Sequence, residues 1–136
     1  MLKIIDVVAA IIERDGKILL AQRPASADQP GLWEFPGGKV EPGESQPQAL
    51  IRELREELAI DARPAAYVAS QRKAVSGRMI HLHAWHVPAW EGEVTAMEHS
   101  ALVWVSPQEA LSYGLAPADM PLLAAFRALC AARPAD

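Results

Sequence analysis

The sequence predicts a single domain of the α/β (α+β) class, covering residues 1–136, in which a mixed β-sheet lies between helices. Two hairpin patterns place strands next to each other along the chain, whereas a parallel sheet needs regular alternation of strand and helix. Helical patterns follow the first hairpin and close the chain. A length of 136 residues is enough for one domain with a substantial core.

The first hairpin is predicted from two apolar runs, residues 7–12 and 17–22, joined by Asp15-Gly16. Asp-Gly accepts the positive φ angles that a tight hairpin turn requires. After a loop over residues 24–31, Glu41-Pro42-Gly43-Glu44 has proline and glycine placed for a type II turn. Ser45-Gln46-Pro47-Gln48 is a capping-box pattern and begins a helix that runs to about Leu58.

The second half of the chain returns to strands and ends in two predicted helices. Residues 67–75 and 79–87 form a hairpin pattern around residues 76–78, and residues 102–105 form another short strand. A second capping box at Ser106-Pro107-Gln108-Glu109 predicts a helix that stops at Gly114. The last helix is expected from near Asp119 to Ala132.

Composition and charge exclude several classes of protein. The chain is 51% hydrophobic with net charge −4, so it lacks the basic excess that a nucleic acid polymer requires. No apolar segment is long enough to span a membrane. The single cysteine, Cys130, is interpreted as a small buried residue and not as a nucleophile. We therefore expect a cytoplasmic protein without a membrane or nucleic acid partner; the oligomeric state stays open, with a monomer as the simpler expectation.

Three carboxylates on the first helix are the main chemical signal. Spacings of three and four residues bring Glu53, Glu56 and Glu57 onto one arc, beside the apolar arc of Leu50 and Leu54. Like charges at such spacing destabilise a helix, and a bound divalent cation would reverse that cost. Taken alone, the pattern also fits a solvated acidic face.

The residues around this helix resemble the Nudix box. Gly38 is followed after five residues by Glu44 and after seven more by Arg52-Glu53-Leu54-Arg55-Glu56-Glu57-Leu58. One position departs, because the family has glycine where this chain has Ala59; alanine in a left-handed helix end costs roughly 1 kcal/mol. Further stretches, Gln22-Arg23, Trp33–Lys39, Glu98 and residues 115–119, are similar to the MutT branch of the family.

The resemblance implies a Nudix fold and hydrolysis of a nucleoside triphosphate to the monophosphate and pyrophosphate. It implies Mg²⁺, with Mn²⁺ as a possible substitute, held by Glu53, Glu56, Glu57 and a backbone carbonyl of Gly37-Gly38. Glu98 is the implied general base, and Glu56 and Glu57 are alternatives. Glu44 and Arg52 are expected to form a structural ion pair, with Arg52 and Arg55 pointing away from the carboxylates.

The resemblance also implies a set of substrate-binding residues. These are Arg23, Glu34, Phe35, Lys39, Lys73, Arg78 and Asp119, with Trp33 in the wall beside them. Asp119 has two interpretations. As the first residue of a helix it suits an N-cap, and as a base-reading carboxylate it accepts from an exocyclic amino group such as N4 of cytosine. His81, His83 and His86 do not share one strand face, so zinc is not expected from this trio.

The resemblance implies three alternative functions. The first is a triphosphate pyrophosphohydrolase for CTP or dCTP and for modified or oxidised nucleotides, which would serve nucleotide-pool sanitation and DNA repair. The second is an enzyme that prefers 8-oxo-dGTP or another nucleoside diphosphate derivative. The third is a nucleotide-sensing module without catalysis, against which the retained Glu53, Glu56 and Glu57 argue.

Overall fold

A computed structural model of the chain describes residues 3–133, and a mixed β-sheet built around the first strand is its central feature. In chain order the elements are β1 (Lys3–Arg14), β2 (Lys17–Gln22), β3 (Trp33–Glu34), β4 (Gly37–Lys39), α1 (Gln46–Leu58), β5 (Asp61–Arg63), β6 (Ala66–Val75), β7 (Arg78–Val87), β8 (Ala89–Glu91), β9 (Ala101–Val105) and α2 (Met120–Ala132).

The seven-stranded sheet contains one parallel pairing among antiparallel ones. The strand order is β3-β2-β1-β7-β6, with β4 added to β1 and β9 added to β2. β1 and β7 run parallel over ten paired positions, from Lys3 with Arg78 to Ile12 with Val87. β5 and β8 form a separate two-stranded sheet. The predicted mixed sheet is therefore confirmed.

Alternation along β1 sends side chains into two cores, one for each helix. Val8, Ala10 and Ile12 pack in the cluster that contains Leu50 and Leu54 of α1. On the other face of the sheet, a second cluster joins β1 to α2 through Ala9, Ile11, Leu122, Leu123 and Phe126. The two α-helices thus cover opposite faces of the sheet, as the sequence predicts.

Both predicted hairpins are present. Asp15 and Gly16 have φ of 53° and 76°, and Ser76 and Gly77 have φ of 46° and 78°, so both turns use two residues with positive φ. The second turn is one residue shorter than predicted, because Arg78 is already the first residue of β7. The turn at residues 41–44 is also confirmed, since Gly43 has φ of 83° and the Glu44 amide donates to the Glu41 carbonyl.

The ends of α1 follow the local sequence. The hydroxyl of Ser45 accepts from the Gln48 amide, and the Gln48 side chain accepts from the Ser45 amide, so the capping box is complete. The helix ends at Leu58, where Ala59 takes the left-handed conformation, φ 59° and ψ 35°, that the family fills with glycine. Alanine thus occupies the strained position without moving the helix end.

The prediction of a helix that extends to Gly114 is wrong. Ser106 and Glu109 do exchange the two capping-box hydrogen bonds, but they begin only a short 3₁₀-helix, Glu109–Ser112. A segment this short cannot repay the cost of helix nucleation, and Tyr113 returns to extended backbone. Three elements of two or three residues, β3, β5 and β8, and the strand character of β4 are absent from the prediction.

Two smaller expectations concern the rest of the chain. Within residues 3–133, no helix has the length and apolar character needed to cross a membrane. Cys130 is partly buried, and burial raises the pKa of its thiol, so it lacks the activation of a nucleophile.

Candidate active site

The carboxylates of α1 converge as predicted, but they differ in burial. The side chain of Glu57 is 6% exposed and that of Glu53 is 17% exposed, whereas that of Glu56 is 54% exposed. Among the described residues, Oε2 of Glu57 is buried without a hydrogen-bond partner. Burial, with the charge of Glu53 beside it, raises the pKa of Glu57 to about 9. A cation between these oxygens would remove both costs, so the donor set fits a hard divalent metal.

Gly37 and Gly38 let β4 lie close to β1 on one side and to α1 on the other, because neither position has room for a side chain. A Cβ on Gly37 would lie 1.9 Å from the carbonyl oxygen of Val8. A Cβ on Gly38 would lie 2.4 Å from Cδ of Glu53, so the carboxylate of Glu53 occupies the space beside the backbone. Gly37 therefore allows β4 to approach β1, and Gly38 allows β4 to approach the acidic helix.

Arg52 holds the loop before α1 against the helix. Its Nε donates to Oε2 of Glu44 at 2.8 Å and its Nη2 donates to Oε1 at 2.9 Å, which is the paired geometry of a strong ion pair. The hydrogen bond from Arg52 comes first among the causes that lower the pKa of Glu44 to about 2. Nη2 also donates to the Lys39 carbonyl, which ties down the end of β4.

The prediction that Arg52 points away from the carboxylates is wrong. Its Nη1 donates to Oε1 of Glu53 at 2.8 Å and lies 3.8 Å from Oε1 of Glu56. The long, forked side chain reaches back along the helix surface to a residue that helical spacing alone does not place beside it. Arg55 behaves as predicted and pairs with Asp61.

A cavity of about 640 Å³ opens on the other side of β4, in the size range of small-molecule sites. Its charged lining residues are Arg23, Asp28, Glu34, Lys73 and Asp119. Its floor includes Val8, Gly37 and Gly38. Gly38 therefore lies between the cavity and the carboxylate of Glu53.

Asp119 is in this cavity and does not cap α2. It is 6% exposed, it has helical backbone angles and its side chain makes no capping hydrogen bond. Burial, followed by the charge of Glu34, raises the pKa of Asp119 to about 7, while a hydrogen bond from the Phe35 backbone opposes the shift. The N-cap interpretation is thus wrong, and the carboxyl group is available to a ligand.

His99, which the sequence did not single out, joins the cavity to the acidic helix. Its Nε2 lies 2.9 Å from Oε2 of Glu34 and 3.7 Å from Oε1 of Glu57. The other oxygen of Glu34 accepts from Nη1 of Arg23 at 2.7 Å. Burial opposes ionisation of Glu34, but the hydrogen bonds from His99 and Arg23 prevail and lower its pKa. The only sequence signal for His99 was its position next to Glu98.

The loop that carries Glu98 is fastened to the end of α1. The amides of Thr95 and Met97 donate to the carbonyls of Leu58 and Glu57, at 2.9 and 3.0 Å. Glu98 is exposed, and its charge is close enough to add to the raised pKa of Glu57. The structure therefore brings Glu98 to the carboxylate cluster although it is distant in sequence.

Three other predicted residues lie outside the cavity. Lys39 is exposed at the end of β4, and Arg78 is exposed at the start of β7. Trp33 was expected in the wall of the base pocket but packs edge-to-face on Tyr113, with ring centroids 5.3 Å apart. Phe35 is 3% exposed and reaches the cavity beside its backbone hydrogen bond to Asp119.

The arrangement of a glycine-lined strand, an acidic helix and an adjoining cavity has close counterparts among known proteins. The NUDIX domain matches residues 3–126 of the chain. The chain belongs to the Nudix family. Nudix hydrolases use divalent metal ions, in agreement with the carboxylates of α1.

Nudix relatives match over nearly the whole chain. The CTP pyrophosphohydrolase of Escherichia coli is 73% identical over 135 residues, which cover 99% of this chain and 100% of the relative. An 8-oxo-dGTP diphosphatase of E. coli is 33% identical and covers 90% of this chain and 95% of its own.

Solved Nudix structures agree with the fold. The solution structure of the E. coli ORF135 protein has a TM-score of 0.91 at 72% identity, covering 99% of this chain and 96% of its own. The MutT NUDIX hydrolase from Burkholderia pseudomallei has a TM-score of 0.81 at 31% identity, covering 90% and 97%. Both the MutT resemblance and the Nudix fold are confirmed.

Proposed function

We propose that this Nudix hydrolase cleaves CTP or dCTP, and oxidised or otherwise modified nucleoside triphosphates, to the monophosphate and pyrophosphate. The observation that carries the proposal is the contact at Gly38, where a cavity that fits a base and ribose adjoins a buried carboxylate cluster. A triphosphate extending from the cavity along β4 would reach Glu53 and Glu57. The identity to a CTP pyrophosphohydrolase supports the choice of nucleotide.

The carboxylates of Glu53 and Glu57 are the proposed principal ligands of Mg²⁺, with Glu56 and a carbonyl of Gly37 or Gly38 completing the set. The unpartnered Oε2 of Glu57 supports this assignment, because a buried carboxylate oxygen without a donor is costly. When bound, Mg²⁺ neutralises the phosphates, polarises a phosphoryl oxygen and orients water. Mn²⁺, which also accepts oxygen ligands, is the expected substitute.

Arg52 is proposed to orient these ligands without touching substrate. Its hydrogen bonds to Glu44 and Glu53 hold the loop and one carboxylate in a single arrangement. Loss of such a supporting contact to a metal ligand commonly lowers metal affinity or activity about 10- to 100-fold.

Glu98 is the proposed general base, with Glu56 and Glu57 as alternatives. Its exposure lets water reach it, and its loop is held to α1 by two backbone hydrogen bonds. The attacking water would pass its proton to this carboxylate as its oxygen bonds to an internal phosphorus. The phosphoanhydride bond between the α- and β-phosphates would break, giving the monophosphate and pyrophosphate. Glu57 is less suited to be the general base, because it is already proposed as a metal ligand.

The base is proposed to lie between Phe35, Lys73 and Asp119. Ionised Asp119 accepts from the N4 amino group of cytosine, and the O4 atom of uracil has no donor for it. Glu34, fixed by Arg23 and His99, forms the next part of the wall. Lys39 and Arg78 lie outside the cavity and are proposed only as contacts for the phosphates or the rim.

A preference for 8-oxo-dGTP is the second candidate, because several relatives carry that activity in their names. The altered ring of oxidised guanine also offers donors to a carboxylate at Asp119. A sensing module without catalysis is disfavoured by the complete carboxylate set. The activity requires no nucleic acid polymer or membrane partner, and the proposed setting is a cytoplasmic monomer.

The experiment that tests the function measures pyrophosphate release from normal and oxidised nucleotides in Mg²⁺ or Mn²⁺. CTP and dCTP are expected to have the highest kcat/KM. Glu53→Gln and Glu57→Gln should abolish turnover while leaving the fold intact, because each removes a ligand and also relieves charge repulsion. Full activity in either variant would refute the metal assignment, and preferential cleavage of 8-oxo-dGTP would favour the second candidate.

A further inference from the structure

Three potential metal ligands converge on the α1 face of the sheet, at a position the proposed reaction does not use. His81 and His83 are two residues apart on β7, so both side chains lie on the same face. The parallel register pairs His81 with Asp6 of β1. One ligand atom from each of the three residues lies within 4.8 Å of the other two.

The distances are short enough for one ion to be shared after a small adjustment. Nε2 of His83 lies 3.0 Å from Oδ1 of Asp6, and Nδ1 of His81 lies 3.7 Å from the same oxygen. The two imidazole rings have centroids 4.0 Å apart. Ligands at about 2 Å from a zinc-sized ion are separated from each other by about 3–3.5 Å. The distances from Oδ1 of Asp6 to the two ring nitrogens, 3.0 and 3.7 Å, are close to this value.

Tyr67 holds the imidazole ring of His83 in the orientation that a metal ligand needs. Its hydroxyl lies 2.9 Å from Nδ1 of His83, on the ring atom opposite the one that faces Asp6. Metal-binding imidazoles almost always have such a partner for the second ring nitrogen, which fixes the ring and its tautomer. Without a metal, Nε2–H of His83 donates to Asp6 and Tyr67 donates to Nδ1. With a metal on Nε2, the proton lies on Nδ1 and donates to the Tyr67 oxygen.

A simple histidine–aspartate hydrogen bond accounts for only part of the cluster. It explains His83, which is 6% exposed, but it gives no role to His81, whose Nδ1 is directed at the same carboxylate oxygen. The side chain of Asp6 is 51% exposed, so an ion can enter from solvent. Arg72, which pairs with His81 from β6, adds a positive charge that disfavours weakly bound cations.

We propose that Asp6, His81 and His83 form a second metal site, specific for a first-row transition ion of the Zn²⁺ type and separate from the magnesium site of α1. Two imidazoles and one carboxylate suit zinc, cobalt, nickel or iron, whereas Mg²⁺ prefers oxygen ligands alone. Three protein ligands leave an open position for water. The prediction that the histidines bind no zinc considered only the trio with His86, which instead pairs with Glu13 at 2.7 Å.

The test is calorimetric titration of the untagged, chelator-treated full chain with ZnCl₂ in excess Mg²⁺, so that the α1 site is filled. We expect one equivalent of Zn²⁺ to bind, and Co²⁺ to give the visible absorption of a nitrogen-coordinated ion. His81→Gln and Asp6→Asn should each weaken Zn²⁺ at least tenfold with little change in melting temperature. Tyr67→Phe should weaken it about tenfold through its loss of the contact to His83.

Two control variants separate this site from the other histidines and from the α1 cluster. His86→Gln removes a histidine on the opposite face and should leave Zn²⁺ binding unchanged. Glu53→Gln impairs the magnesium site and should also leave it unchanged, so failure of the proposed reaction would not affect this result. The proposal is overturned if Zn²⁺ does not bind, if binding survives His81→Gln and Asp6→Asn, or if it disappears in Glu53→Gln.

Discussion

At the scale of single residues, Asp119 connects burial to the proposed base preference. Its pKa of about 7 lies well above the ordinary value, because the carboxyl group is buried and faces Glu34. The ionised form has only acceptors and matches the amino group of cytosine. The protonated form also has an O–H donor and can satisfy O4 of uracil. Selectivity for cytosine should therefore be lost as the pH falls through 7.

The first prediction is that Asp119→Asn lowers the preference for CTP over UTP in kcat/KM, since the amide offers both a donor and an acceptor. The expected loss of discrimination corresponds to about 1–3 kcal/mol. The ratio should rise with pH between 6 and 8 in the parent protein and stay flat in the variant. Ionisation of the phosphates affects both nucleotides equally and cancels in the ratio. An unchanged, pH-independent preference in the variant and the parent would contradict base reading by Asp119.

His99 is the second residue whose replacement is informative. It lies between Glu34 of the cavity and Glu57 of the acidic helix, and its side chain is 5% exposed. His99→Ala should lower kcat/KM about 10- to 100-fold and raise the Mg²⁺ concentration needed for half-maximal rate, because it frees a carboxylate beside the metal. His86→Ala is the control, as it removes another partly buried histidine that pairs with a carboxylate, Glu13, away from the acidic helix. If the His99 variant has the same Mg²⁺ dependence as the parent protein, His99 contributes only to packing and does not orient the metal ligands.

At the scale of elements, the carboxylates of α1 that are proposed to bind metal lower the stability of the metal-free fold. The pKa of Glu57 is raised to about 9, so its favourable contribution to folding is complete only below the ordinary value of 4.5 and is lost as the pH rises toward 9. Without metal, Glu57→Gln should therefore melt at a higher temperature than the parent, with a gap that widens between about pH 5 and pH 9.

Thermal melts with and without Mg²⁺ check this third prediction. Mg²⁺ should raise the melting temperature of the parent at pH 8 and have a much smaller effect on Glu57→Gln. Equal melting of the two proteins across the pH range without metal would mean that Glu57 is not strained by its burial.

The end of α1 provides a fourth prediction. Ala59 has φ of 59°, so Ala59→Gly should stabilise the protein by about 1 kcal/mol, or about 3–5 °C for a chain of this size. Ala128→Gly, at an exposed position inside α2, should destabilise it by about 0.5–1 kcal/mol. The same substitution thus has opposite signs at two sites, and destabilisation by Ala59→Gly would contradict strain at the cap.

The elements show which features local sequence can specify. The two hairpins and α1 were predictable because their turns and caps are encoded by adjacent residues such as Asp15-Gly16 and Ser45-Gln48. β5 and β8 were not, since each has three residues and gains its hydrogen bonds only from the other. The cluster of Asp6 with His81 was equally hidden, because the parallel register of β1 and β7 is a tertiary property.

The same division applies to the candidate site. Glu53, Glu56 and Glu57 were predictable together because helical spacing brings them together. His99 was not predicted, and the residues alone left Asp119 between a helix cap and a base-reading carboxylate, because burial against Glu34 and the Phe35 backbone depends on distant segments. Arg52 was misplaced since the reach of a long side chain is not fixed by its position on a helix.

At the scale of the whole molecule, the cavity and the acidic helix should act as one binding unit because they meet at Gly38. The fifth prediction is that a non-hydrolysable CTP analogue stabilises the protein strongly only with Mg²⁺ present, by about 2.7 kcal/mol at a hundredfold excess over Kd. Melting curves with analogue, Mg²⁺ and both together measure this coupling. Stabilisation by the analogue alone to the same extent would show that the phosphates do not reach the carboxylates.

The parallel pairing of β1 with β7 has a consequence for how the protein is made. β1 leaves the ribosome before the other described strands, yet its longest partner is complete only at Val87, so the centre of the sheet cannot close until β7 has been synthesised. Until then the apolar face of the β1–β2 hairpin has no permanent cover, and such contacts between distant segments form slowly. Chaperone contact during translation should therefore be greatest before β7 emerges, and the nascent chain should become resistant to protease only after it.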